Sequence, residues 1–181
     1  MKKNVFIFIY FLTISLSVFA QSEEDRAIKL YEQKSFKDSQ LIFQKILKED
    51  PENERAQEYL GSICFDLMEY QKSASYVKPL VEKHPNIARF HFKYAGAIGM
   101  YAKNNKMKGV FLIDDIKKHF HKAVDLDAKF VDARLALVHL YMELPGVLGG
   151  SKEKALFYAK EVQLLDKQAG VEAMQLITAA N

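Results

Sequence analysis

Pro51 and Pro85 stand 34 residues apart, and the residues leading up to each of them follow one pattern. Before Pro51 the chain carries Ala27, Leu30, Phe36, Ser39, Phe43 and Ile46; at the same offsets before Pro85 stand Gly61, Cys64, Tyr70, Ser73, Val77 and Leu80. A fixed period of alternating small and large apolar residues is the signature of stacked helical hairpins, none of which can bury its apolar face alone. This constrains the fold more than any other feature of the chain. It also favours a surface that binds over a site that reacts.

The first twenty residues are a separate object. Lys2 and Lys3 precede an almost wholly apolar run from Val5 to Val18, and Val18-Phe19-Ala20 ends with small residues where a signal peptidase reads. That layout predicts a secretory signal peptide over 1–20 and a mature start at Gln21. An uncleaved anchor is the rival, although the run is near the lower limit for a membrane span. No Cys follows the run, which argues against a lipoprotein. Without Lys2 and Lys3 the 26 basic residues become 24 against 23 acidic ones, so a general affinity for nucleic acid or anionic membrane is not indicated. Cys64 is the single cysteine, so no internal disulfide can form, and its place in the repeat predicts a buried, inert thiol.

Residues 21–181 suit one domain with a continuous core. The apolar spacing predicts helices over Glu23–Lys34, Phe36–Glu49, Glu54–Met68 and Tyr70–Lys83, with Pro51 and Pro85 closing each pair. Further helices are expected over Ile87–Tyr101, Val110–Asp127, Phe130–Glu143 and Lys152–Asp166, the last capped by Ser151. Two departures stretch the later pairs: Lys103-Asn104-Asn105-Lys106 breaks the apolar pattern, and Leu144 to Ser151 forms a long Pro- and Gly-containing turn.

These residues resemble the tetratricopeptide repeat (TPR) family. The resemblance implies an all-α, right-handed superhelix of about four hairpins, at 21–51, 54–85, 87–128 and 130–167, with a C-terminal capping helix over 170–181. Close-approach positions fall to Ala27, Ser39, Gly61, Ser73, Ala95, Ala123 and Ala159. Large packing positions fall to Leu30, Phe43, Leu60, Leu80, Tyr94, Ile98, Phe120, Leu137, Tyr141 and Val162. Each large side chain buried contributes about 1.5–3 kcal/mol, which offsets the ordering of a hairpin only when hairpins stack. The stretch Pro145-Gly146 to Gly149-Gly150-Ser151 is similar to an insertion in a subgroup of exported bacterial TPR proteins. That likeness implies export, to the periplasm or beyond the cell, and binding rather than a reaction.

The chemistry-bearing residues support no enzyme. His119 and His121 are two apart, so on a helix they point about 200° from each other and cannot share an ion. His119 is expected to pair with Asp115 and His121 with Asp125, while His91 reads as a core histidine. Glu23-Glu24-Asp25 and Asp114-Asp115 read as helix starts. Gly146–Gly150 lacks the Lys-Ser/Thr ending and preceding strand of a phosphate loop. Lys103, Lys106 and Lys108 read as a solvated basic loop, with an acidic partner or lipid headgroup as the sharper alternative. No metal or cofactor is expected.

The resemblance places a binding face on the concave side, lined by the first helix of each hairpin. Its expected partner-binding residues are Tyr31, Phe65, Arg89, Phe92, Met100, Leu135, His139 and Met142, because grouped apolar side chains with an Arg make binding hot spots. The expected partner is a protein or peptide segment. The competing expectation is an accessory for a small apolar ligand beside a transporter, with an enclosed pocket near Phe92, Met100 and Met142. TPRs that grip a peptide's carboxylate place Lys, Asn and Arg on their first helices. Arg89 and Lys93 match that set, but Glu24, Ile28 and Tyr59 do not, and Glu24 would repel a carboxylate.

Overall fold

A computed structural model describes residues 23–179, which are helical apart from turns. The expected signal peptide and the last two residues lie outside the described residues. The chain divides into two compact units, one ending at Tyr76 and the other beginning at Val77.

The first unit contains α1 (residues 23–32), α2 (Phe36–Glu49), α3 (Glu54–Asp66) and the start of α4 (Tyr70–Lys83). Its two turns are built alike. Lys34 and Met68, 34 residues apart, both take left-handed backbone, with φ of 60° and 61°. After each, an N–H donates five residues back, Ser35 to the Leu30 carbonyl at 2.9 Å and Glu69 to the Cys64 carbonyl at 2.7 Å. This is the Schellman closure of a helix C-terminus, and it ends α3 at Asp66, two residues short of the expected Met68.

The two serines of the repeat explain the close approach of the helices they join. Ser39 Oγ donates to the Ala27 carbonyl at 2.8 Å, and Ser73 Oγ donates to the Gly61 carbonyl at 2.7 Å, both serines being buried. A small side chain on α1 or α3 admits the hydroxyl of the partner helix, and the bond satisfies it there. Around these clasps Phe43, Ile46, Ala56, Leu60 and Ile63 form the core, and Phe43 stacks on Tyr59 at 4.8 Å. Asn53 starts α3 by accepting from the Ala56 N–H at 2.9 Å.

The second unit continues α4 and adds α5 (Ala88–Asn104), a short α6 (Lys106–Gly109), a 3-10 turn (Val110–Leu112), α7 (Ile113–Leu126), α8 (Val131–Glu143), α9 (Lys152–Leu165) and α10 (Lys167–Ala179). The expected break at Lys103–Lys106 is narrower than the sequence suggests. Only Asn105 interrupts the helix, because Lys106, Met107 and Lys108 are all good helix formers. Gly109 is buried where a Cβ would overlap the Ala102 carbonyl, so the added turn packs directly onto the end of α5. Ala95, Ala123 and Ala159 have no exposed surface, nor do Leu137 and Val162. Tyr94, placed among the large packing positions, is only half-buried. Buried Arg134 joins α8 to α9, its Nε donating to Glu161 Oε2 at 3.1 Å and a guanidinium nitrogen to the Phe130 carbonyl at 3.2 Å. α10 begins at Lys167 rather than Gly170 and packs principally on α9, burying Gly170, Ala173 and Ile177.

The Pro145–Gly150 turn is closed on itself. Gly149 and Gly150 donate to the carbonyls of Gly146 and Pro145 at 2.9 and 3.0 Å, and Gly149 takes φ 88°, a backbone that glycine adopts without cost. Ser151 then caps α9 by accepting from the Lys154 N–H at 3.2 Å.

Candidate functional site

The expected binding residues fall on both units. In the first, Tyr31 on α1 lies 5.6 Å from both the Phe36 and Tyr59 rings, and its hydroxyl donates to Asp66 Oδ2 at 3.0 Å. Burial, helped by that carboxylate, pushes the Tyr31 phenol up to about 12. Phe65 on α3 keeps 37% of its surface exposed and meets Tyr70 edge-on at 5.3 Å.

In the second unit α5 supplies Arg89, Phe92 and Met100, and α8 supplies Leu135, His139 and Met142. Arg89 and His139 are exposed, while Phe92, Met100, Leu135 and Met142 are half-buried. The Arg89 guanidinium lies 4.5 Å above the Phe90 ring. Phe92 is held between Phe130 at 4.9 Å and Phe120 at 6.0 Å, so its ring serves packing as well as the surface. Lys103 and Glu143 pair at 3.0 Å and bring the C-terminal ends of α5 and α8 together.

A second locus carries no repeat signal in the sequence. A cavity of about 770 Å³ opens beside α4, α5 and α7, lined among others by Lys78, Glu82, His91, Asp115, His119 and Lys122. At its wall His91 Nδ1 lies 2.7 Å from His119 Nδ1, and the two rings stack at 4.9 Å. His91 Nε2 is 3.0 Å from the Pro85 carbonyl, which can only accept. His91 therefore donates through Nε2 and, in its neutral form, accepts at Nδ1 from the His119 Nδ1–H. His119 Nε2, an acceptor in that arrangement, faces Asp115 Oδ1 at 3.4 Å and can donate to it only when the ring is charged. Burial holds His119 below its ordinary 6.5, with Asp115 pulling the other way.

His91 is thus the core histidine expected, and His119 does face Asp115. His121 departs from expectation. Instead of pairing with Asp125, its Nε2 meets the Tyr141 hydroxyl at 2.8 Å and its Nδ1 the Tyr158 hydroxyl at 3.1 Å. Facing α8 and α9, it gains two short contacts in a half-buried setting, where a surface ion pair would contribute little. Burial lowers its pKa as well. The pairing of His91 with His119 escapes the sequence because 28 residues separate them on different helices. The only available signal is that both sit on the buried faces of their helices.

Among the described residues no group of three or more His, Cys, Asp or Glu is arranged to hold a metal ion. Cys64 is buried, and burial raises its thiol to about 11. No helix among the described residues is long and apolar enough to cross a membrane.

No protein-family model matches the chain, and no curated protein matches it. Solved structures do. A thermophilic TPR protein of Thermus thermophilus superposes with a TM-score of 0.70 at 17% identity, covering 87% of this chain and 82% of that one. MamA of Desulfovibrio magneticus RS-1, residues 41 to the end, gives 0.68 at 17% identity, covering 82% and 76%. YrrB, described as a TPR protein with an unusual peptide-binding site, gives 0.67 at 18% identity, covering 86% and 74%. Repeat spacing, helical turns and these superpositions agree: the chain has the all-α fold of tetratricopeptide repeat proteins.

Proposed function

We propose that the protein is a non-catalytic scaffold that binds a protein or peptide segment along the first-helix face of its repeats. The observation that carries this reading lies in the second unit. There α5 and α8 leave Phe92, Met100, Leu135 and Met142 partly open to solvent, beside exposed Arg89 and His139. Apolar surface flanked by cationic or hydrogen-bonding groups suits an extended segment with both side chains and polar backbone to satisfy. The likeness to YrrB, whose own description includes a peptide-binding site, supports the same reading. Binding of a small apolar ligand would need a hollow near Phe92, Met100 and Met142. The 770 Å³ cavity is lined by other residues and includes several charged ones, so it lends that alternative no support.

The test is selection of phage-displayed decapeptides on the folded protein, followed by titration of the enriched sequence. Arg89→Glu with His139→Glu should weaken binding by about tenfold or more while helicity is kept, because both side chains are exposed. No enrichment, or equal affinity in the double variant, would sink the reading.

The same proposal places the protein in the cell envelope, on the leader-like sequence of residues 1–20. Protein released by osmotic shock should begin at Gln21 on N-terminal sequencing. Recovery only inside spheroplasts, with Met1 retained, would count against export.

A further inference from the structure

We propose that the two insertions of the second unit form one edge that docks reversibly on an anionic phospholipid surface. The inference rests neither on peptide binding nor on export. Two contacts bring the insertions to the same end of the helices. The Lys103–Glu143 pair at 3.0 Å joins the stretch after α5 to the stretch after α8. Lys117, one turn into α7, donates from Nζ to the Leu148 carbonyl at 2.7 Å, fastening the Pro145–Gly150 turn beside the helix that the other insertion leads into.

Both insertions then turn apolar side chains outward. Met107 is 89% exposed, Phe111 86%, Val110 48% and Val147 94%. Met107, Val110 and Phe111 are spaced three and four apart on successive helical turns, which puts them on one side. They stand on a packed base, since Gly109 is buried against Ala102, so they project from a built turn.

The charge around them is positive. Lys106 and Lys108 are exposed and have no ion-pair partner among the described residues. Glu143 is taken up by Lys103, which leaves Asp114 as the exposed carboxylate nearest in sequence to Phe111. Large apolar side chains that protrude, flanked by lysines whose stems can lie along an interface, fit the headgroup and acyl boundary of a bilayer. A protein pocket would also accept such side chains. The two free lysines and the outward reach of four apolar side chains favour the lipid surface, where phosphate is dense and the apolar phase is fluid.

Sedimentation of the intact protein with sucrose-loaded vesicles tests this. Vesicles of phosphatidylcholine with one-quarter phosphatidylglycerol should bind it, phosphatidylcholine alone should bind it weakly, and added salt should release it. Lys106→Gln and Lys108→Gln should each lower partition by about fivefold, and Met107→Ser with Phe111→Ser by about tenfold or more. Val147→Ser gives an independent check should the Met107–Phe111 variant fold poorly. Equal binding to both vesicle types, or binding unchanged in the variants, overturns the proposal. So does capture by immobilised polyglutamate without vesicle binding, which would point to an acidic protein instead.

Discussion

Lys34 and Met68 hold a backbone that costs a residue with a Cβ about 1–2 kcal/mol, at φ of 60° and 61°. The cost is tolerated because the left-handed residue lets each turn close with its pair of backbone hydrogen bonds. Met68 is 74% exposed and contributes little packing in return. Met68→Gly should therefore raise the unfolding free energy by about 0.5–1 kcal/mol, measured by urea denaturation. A lower midpoint would mean that the methionine side chain makes contacts worth more than the relieved strain. Cys64 shows the same economy of role. It fills an apolar position, takes a weak 3.5 Å contact from Gln40 Nε2, and is held as the thiol by burial. The sequence position alone indicates an inert cysteine, and its surroundings supply the cause.

The helices show where pattern reading succeeds and where it stops. The 3.6-residue periodicity locates α2 and α4 at the bounds observed, because their apolar stripes are flanked by turn residues with a clear physical role. The clasps of Ser39 and Ser73 are legible as small residues at a fixed offset, though the hydroxyl-to-carbonyl bond that makes them more than small is not. α4 runs through Pro79 without ending, despite the lost N–H, since the helix is fixed by buried Val77, Leu80 and Val81. α6 is hidden by Asn104-Asn105, residues that read as a loop but here interrupt the helix for one position. Within the expected binding face, α5 and α8 place their residues as the helical register requires. What the register cannot show is that Phe92 is wedged between two other rings and that Tyr31 is tied to Asp66. Those are contacts between helices, set by packing that no single helix encodes.

At the scale of the whole molecule, one buried and one half-buried histidine tie stability to pH. Burial lowers the pKa of His119 and of His121 in the folded state. Around His119, Asp115 opposes the shift while His91 and Lys118 add to it; around His121, Asp125 opposes it while Lys154 and Lys117 add to it. The unfolded chain, with ordinary values near 6.5, binds more protons than the folded one as pH falls into this range. The stabilisation is therefore complete above about 6.5 and is lost as pH drops through the folded-state values. The urea midpoint should be lower at pH 5 than at pH 7.5, and His119→Gln with His121→Gln should flatten that dependence. A midpoint independent of pH over this interval, or a slope unchanged in the double variant, would show that these rings are not the groups responsible.

The Pro145–Gly150 turn leaves and rejoins the helices through a closed stem, with the Ser151 N–H donating to the Tyr141 carbonyl at 3.0 Å. The backbone bonds of Gly149 and Gly150 run only among the turn's own residues, so the chemistry of its exposed tip is decoupled from the packing of α8 on α9. Such a stem acts as a socket. Sequence can vary at exposed Gly146 and Val147 without disturbing the hairpin beneath, which makes this tip a natural place for a repeat scaffold to acquire new contacts and a practical one for displaying a substituted side chain.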